Sequence, residues 1–392
     1  MKAGRLLDDQ AIVIENGDIT LVTPFAQWKN ERNAKLIDLR DRTVLPGLID
    51  SHVHITFQSG GNANSWSVTS ASRASLIGAK NARTLLDIGF TTIRNLGAAD
   101  YADISLRDAI EAGDVPGPRI LTAANSICIT GGHCDFSTAT KPELHMVGAG
   151  ASDAPVGMEQ KVREQIKYGA DVIKITATGG VMSARTDPRL AHMTQDEIVA
   201  VVQTAHGLGR KVASHAHAAE GVKRSVRAGV DSIEHGHMMD DEAIALMKEK
   251  GTYLVPTVAL CDYTIANLAT LPLPEFNKRK MKLVCDVGVD NVRKAIQAGV
   301  KVAFGTDTPV MPHGMNAKEF AVYVRLGMTP IQAIRAATVN AADLLGISDK
   351  AGAIEVGKYA DIIAVNGNPL ENVKVLEEVK FVMKAGEVYK QQ

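Results

Sequence analysis

The sequence has little cysteine, few aromatic residues and almost no net charge. Four cysteines, Cys128, Cys134, Cys261 and Cys285, are spread through 392 residues. None forms a Cys-x-x-Cys pair, and the density is too low for a disulfide scaffold. The expectation is four reduced thiols in a cytoplasmic protein. Aromatic residues make up 4% of the chain, which leaves little surface for stacking nucleobases. Lys plus Arg number 43 against 44 Asp plus Glu. That balance supplies no electrostatic attraction to nucleic acid or an anionic membrane, so neither is expected as a partner. No apolar run approaches the roughly 18 residues of a membrane span, and no signal-peptide pattern is seen. The opening Met-Lys-Ala-Gly-Arg-Leu-Leu runs almost directly into a strand pattern. It reads like a start from which a leader or first strand was trimmed.

What is present is an apolar content of 45%, enough for a full core at this length. Residues 10–23 alternate apolar and polar around Asn16-Gly17, a hairpin signature. Residues 352–366 and 377–390 read similarly, with a turn at Gly386. Both ends therefore predict short antiparallel strands, buried most simply as one composite β-sandwich over 1–43 and 352–392. Between them, over 44–351, short β-branched runs alternate with amphipathic helices. The runs cover 44–55, 90–97, 118–125, 171–178, 211–217, 230–236, 251–258 and 299–307. The helical stretches RASLIGAKNARTLLDIG, TQDEIVAVVQTAHGLG and DDEAIALMKEKG each stop at a glycine. Eight strands alternating with helices predict an α/β protein with a (β/α)₈ TIM barrel. An open doubly wound sheet is the weaker alternative, because no Gly-x-Gly-x-x-Gly follows the first strand. The long connections 57–72 and 126–157 follow strands one and three and are expected over the C-terminal face, shaping a substrate pocket.

Eleven histidines are present, and several fall at predicted strand ends. His52 and His54 are two apart, so both imidazoles face one side and can reach one metal. His215 ends the fifth run, His235 the sixth, and Asp307 the eighth. A single strand-end histidine is usually structural. Recurrence on four strands, always with a metal-ligand residue type, predicts a metal centre. Lys174 lies in Asp-Val-Ile-Lys-Ile-Thr, flanked by β-branched residues on the fourth strand. A buried unpaired ammonium is costly and its pKa falls. It could pair with a core acid, form a Schiff base, or add CO₂ as a carbamate bridging two metals. Five other ligand candidates at the same barrel end favour the carbamate.

The set His52-x-His54, Lys174, His215, His235 and Asp307 resembles the amidohydrolase superfamily in its binuclear, carboxylated-lysine class. The motifs LPGLIDSHVH, TTIRNLG, ITGGHCD, IKITATGGVMS, HAHAAEG, SIEHG and FGTDTP extend the likeness over essentially the whole chain. They are similar to the prolidase-like and Xaa-Arg/Xaa-Lys carboxypeptidase branch, related to imidazolonepropionase. The resemblance implies one divalent ion on His52, His54 and Asp307 and another on His215 and His235. Zinc is the expected metal, with carboxylated Lys174 bridging. It implies that Asp307 shuttles a proton and that His133 polarises the scissile carbonyl. A loop-structuring role is the alternative for His133. His217 would meet the substrate carboxylate, and Gly180 and Val181 would offer backbone donors. The implied reaction releases a C-terminal amino acid from a dipeptide or N-acyl amino acid, ochratoxin-like aryl amides included. Ring opening of a cyclic amide, as in imidazolonepropionase or hydantoinase reactions, is the alternative. The resemblance also implies a homo-oligomer, up to an octamer. His237 is expected behind the ligands, and Glu220 as first-turn helix charge. His192 and His313 lie in loops that could reach substrate, and His206 on a helix surface. His145 carries no site argument. Asp87, Arg94 and Arg107 read as ordinary helix or strand-end charges.

Overall fold

Asn16 and Gly17 adopt φ of 52° and 85°, the left-handed geometry that a two-residue hairpin turn demands. They join β1 (Gln10–Glu15) to β2 (Asp18–Pro24), paired antiparallel. The computed structural model describes residues 5–30, 34–61, 65–66, 68–135 and 147–392. His145 and parts of both long connections lie outside the described residues. The further strands are β3 (Thr43–Pro46), β4 (Leu48–Val53), β5 (Phe90–Asn95), β6 (Arg119–Thr122) and β7 (Val172–Thr176). After them come β8 (Lys211–Ala218), β9 (Ser232–Met238), β10 (Tyr253–Val255), β11 (Ile362–Val365), β12 (Val379–Lys384) and β13 (Glu387–Gln391).

The run expected over 44–55 is two strands. β3 joins the terminal sheet, ordered β13-β12-β11-β3, while β4 enters the barrel beside β5. The break falls at Gly47, where a Cβ would overlap the Thr91 side chain on β5. Glycine alone permits that approach. Ile19 and Ile12 of the hairpin pack with Ile362, Phe381 and Met383 of the terminal sheet. This closes the small composite β-sandwich built from both chain ends.

Barrel pairing is parallel throughout, as β4-β5-β6 and β10-β9-β8-β7. Single parallel bridges span the two seams: Ile127 with Ile175, and Val302 with Leu254 and Thr308 with Val53. The expected eighth strand, 299–307, fills its place without forming a ladder. Its backbone is used residue by residue. Ala303 N–H donates to Leu254 C=O at 3.0 Å, and Asp307 N–H donates to His52 C=O at 2.8 Å. Helices cover the outside of this (β/α)₈ barrel. Helix Gln195–Gly207 opens on a capping box between Thr194 and Glu197 and buries Ile198, Val201 and Val202. Helix Asp241–Lys250 starts under the Asp240 side chain and stops at Gly251, φ 70°. No helix among the described residues is long and apolar enough to cross a membrane.

The cysteines correct the thiol expectation. Cys128 is bonded to Cys134 and Cys261 to Cys285, with Cα separations of 6.0 and 5.4 Å. The first pair closes the loop after β6. The second joins helix Ala259–Asn267 to helix Glu275–Ala298. Disulfides persist in oxidising surroundings, so the thiols no longer argue for a cytoplasmic protein.

Glu319 on helix Lys318–Arg325 is fully buried. Its carboxylate accepts the N–H groups of Val258 and Ala259 at 2.7 and 2.6 Å. Burial outweighs those donors and pushes its pKa from 4.5 up to about 8. The folded state then holds a proton that the unfolded chain has released. That contribution to stability is whole below the unfolded pKa and is lost as pH rises through the folded one. The thermal midpoint should therefore decline as the pH is raised from about 5 to 8, and Glu319→Gln should remove part of that slope. A slope unchanged in the variant would show that Glu319 folds in its charged form.

Candidate metal centre

β4 delivers His52 and, one residue past its end, His54. β7 carries Lys174, β8 carries His215 and His217, β9 carries His235, and Asp307 comes from the eighth segment. These side chains meet at the C-terminal mouth of the barrel. The His52 ring lies 5.4 Å from His54 and 5.1 Å from His235. His235 is 4.6 Å from His215 and 4.8 Å from His217. Asp307 Oδ1 stands 3.4 Å from His52 Nε2 and 3.3 Å from His54 Nε2. The ligand atoms of His52, His235 and Asp307 fall within 4.8 Å of one another, and so do those of His215, His217 and His235. His235 belongs to both triads. His217, expected as a substrate contact, is also close enough to act as a ligand.

Two of these positions bend the backbone against its preference. His235 has φ 74° and Asp307 φ 56°. Such geometry in a non-glycine residue persists where the surroundings enforce it. At His235 it also interrupts strand alternation, so that Glu234 and His235 both turn into the barrel.

Burial decides protonation here. It brings the His52 pKa down to about 4, with Lys174 adding to the effect, and holds His215, His217 and His235 well below the ordinary value. Neutral imidazole is the ligand form. Asp307 would be raised by burial, but His52 and His54 bring it down to about 2. Lys174 is 3% exposed, and its Nζ has no hydrogen-bond partner among the described residues. Burial lowers its pKa to about 8, against the pull of Glu234 and Asp307. A core acid hydrogen-bonded to Lys174 is therefore absent from the described residues. An orphaned amine beneath imidazole and carboxylate donors fits a divalent-metal site.

Neighbouring groups aim the rings. His54 Nδ1 donates to Gly97 C=O at 3.2 Å, and His235 Nδ1 lies 2.7 Å from Thr257 Oγ1. His237 Nε2 donates to Pro256 C=O at 2.7 Å, which keeps His237 behind the ligands. Arg94, read from sequence as an ordinary charge, is 1% exposed and paired with Glu234 at 2.8 Å. Glu234 would be raised by burial, but Arg94 and His52 bring it down to about 2. No spacing rule marked either residue.

His133 joins the cluster, its ring 4.4 Å from His215. Its Nδ1 lies 2.8 Å from Ser183 Oγ, and the ring covers Gly180, where any Cβ would overlap it. Gly180 N–H donates to Thr186 Oγ1 at 3.2 Å, so that amide is engaged within its own loop. Val181 presents its carbonyl to Asn277 Nδ2 at 2.6 Å, and Lys280 Nζ donates to Ser183 C=O at 2.8 Å. Helix Glu275–Ala298 thus clamps the loop that positions His133, a contact that sequence reasoning missed. Elsewhere Glu220 pairs with Arg224, His206 with Asp231, Asp87 with Arg83 and Arg107 with Asp171. His313 buries both ring nitrogens beside the backbone of His54 and Phe57.

A model of the amidohydrolase family matches residues 43–389. The chain belongs to the amidohydrolase family. Ochratoxinase of Aspergillus niger is 34% identical, across 99% of this amidohydrolase and 84% of its own length. A solved Xaa-Pro dipeptidase with methionine bound in its active site is 43% identical. It has a TM-score of 0.89 and covers 97% of this chain and 94% of its own. A prolidase complexed with N-methylphosphonate-L-proline is 33% identical with a TM-score of 0.92, over 100% and 97% of the two chains. The expected prolidase-like branch is borne out, and these findings support hydrolysis of an amide bond.

The Gly180–His133 contact has a direct consequence for this amidohydrolase. Gly180→Ala should displace the His133 ring and lower kcat by at least about 10-fold while circular dichroism stays unchanged. In a His133→Ala background the same substitution should cost little, because the displaced partner is gone. Additive losses in the double variant would show that the glycine serves something other than His133.

Proposed function

We propose that this amidohydrolase is binuclear and zinc-dependent, and that it releases a C-terminal amino acid from dipeptides or N-acyl amino acids, aryl amides of the ochratoxin type included. The observation that carries this reading is the buried Lys174 amine, without a hydrogen-bond partner among the described residues and set among ligand-type side chains. A neutral amine in that position is set to take up CO₂ as a carbamate. His52, His54 and Asp307 would hold one ion, His215 and His235 the other, and carboxylated Lys174 both. The imidazole-rich donor set suits zinc. Two such ions lower the pKa of bound water toward ~7 and polarise a carbonyl.

The chain's own groups supply the rest. Asp307 sets Oδ1 between two imidazoles at the mouth, where it can accept a proton and return it to the departing nitrogen. His133, held at Nδ1 by Ser183, has Nε2 left to donate to the carbonyl oxygen. His217 anchors the substrate carboxylate. The methionine bound in the dipeptidase and the N-substituted proline bound in the prolidase support a substrate whose leaving part is an amino acid. The test is a library of dipeptides and N-acyl amino acids scored by the amino acid released. Ring-opening absorbance on cyclic amides serves as its counterpart. Turnover of cyclic amides alone would replace this proposal.

Lys174→Ala should lose most of its metal and activity, and short carboxylic acids should restore part of both. Full metal and activity in the variant would reduce Lys174 to a core residue. Asp307→Asn should bind substrate nearly normally, keep more metal than Lys174→Ala, and turn over roughly 10²–10⁴-fold more slowly. His217→Ala should mainly raise KM, since a carboxylate contact serves ground and transition states alike. Steady-state kinetics with metal analysis separates the two roles, and swapped patterns would reverse the assignment.

A further inference from the structure

We propose that the buried Arg94–Glu234 pair is a positioning unit. Glu234 holds His52 as the Nδ1–H tautomer, turns its Nε2 to Asp307, and so tightens the binding of the ion that His52 would hold. This rests on the reading of His52 as a metal ligand.

The geometry is one-directional. Arg94 Nε donates to Ser51 C=O at 2.6 Å, Nη1 to Ser232 Oγ at 3.2 Å, and Nη2 to Glu234 Oε1 at 2.8 Å. Ser232 Oγ also donates to Oε1, at 2.5 Å. One carboxylate oxygen is thus saturated by two donors. The other, Oε2, faces His52 Nδ1 at 2.9 Å, and neither of those atoms has another hydrogen-bond partner among the described residues. A carboxylate paired with a guanidinium turns lone pairs to its other neighbour, so the facing ring nitrogen is the one to carry hydrogen. The opposite nitrogen, Nε2, is the one 3.4 Å from Asp307. Glu234 therefore sits behind the imidazole, on the side away from the ligand cluster. A carboxylate in that place fixes tautomer and orientation of a ligating histidine.

Stability alone is a poor account of the pair. A buried ion pair often does no better than well-packed apolar residues of the same volume. Arg94, Glu234 and His52 also come from three strands, β5, β9 and β4. The pair therefore ties the ring's orientation to the barrel frame rather than to a loop.

Removing one partner would strand a charge, so the test removes both. Arg94→Met with Glu234→Leu takes away the carboxylate without stranding a buried charge, and leaves His52 Nδ1 without its acceptor. Arg94→Met with Glu234→Gln restores a neutral acceptor for Nδ1–H. Co²⁺ is titrated into chelator-stripped protein of each kind, with the thermal midpoint recorded beside it. The expected result is one ion weakened by about 10–100-fold in the Met/Leu variant, the other unchanged, and most of the loss recovered in the Met/Gln variant. Unchanged affinity for both ions, or an equal loss of both that follows the thermal midpoint, would overturn the positioning role. Failure of the wild-type protein to bind Co²⁺ would instead sink the metal reading beneath it. Should the variants not fold, nitrogen NMR of labelled histidine in metal-free wild type decides, with His52→Gln identifying the signal. Hydrogen on His52 Nδ1 supports the proposal, and hydrogen on Nε2 overturns it.

Discussion

An amine that loses its water and gains no partner cannot stay an ordinary lysine, and Lys174 is in that position. It is enclosed by the barrel wall, with pKa brought down to about 8. The same withdrawal of water keeps His215, His217 and His235 neutral. Protons are then scarce exactly where ligand lone pairs are crowded, and each ring needs an outside group to settle which nitrogen holds its hydrogen. Gly97 C=O does this for His54 and Pro256 C=O for His237, and Glu234, 2.9 Å away, is proposed to do the same for His52. Desolvation keeps the candidate ligands in their lone-pair form, and the groups behind the rings orient them.

Much of this was legible from residue order because two periodicities carry it. The Asn16-Gly17 turn, the capped helices and the alternating runs are local signals, and the structure honours them. The convergence of the candidate ligands was equally open. His52 and His54 share a face by period two, and strand ends of a barrel converge. Sequence patterns showed less where the chain breaks those periods. β3 and β4 read as one run because the reason for the break, Thr91 against Gly47, lies on another strand. The eighth segment kept its apolar pattern while giving up ladder pairing.

The same limit hid the supporting residues. Strict alternation puts Glu234 on the face opposite His235, yet φ 74° at His235 turns both inward. Arg94 read as an ordinary strand-end charge because nothing near it in sequence is acidic. Its partner is 140 positions away. The disulfides were missed for a related reason. Cys128 and Cys134 lack the familiar spacing, and Cys261 meets Cys285 only through the packing of two helices.

The two walls of the mouth are built differently, and the difference has a physical meaning. The ligand wall is held by parallel strands and by side chains within them, Arg94, Glu234 and His52 among them. The His133 wall is held by side chains of one helix reaching loop carbonyls, through Asn277 and Lys280. Strand ladders resist displacement because every neighbour must move together. Side-chain-to-loop bonds break one at a time and sit where variation is tolerated. A barrel that held metal and varied its acyl group, as proposed, would be served by this division. Under the proposed function the rigid frame would carry the ions, and the clamped loop carries His133, the group proposed to meet the substrate carbonyl. Changes in the helix Glu275–Ala298 would then shift the His133 loop without touching a candidate ligand.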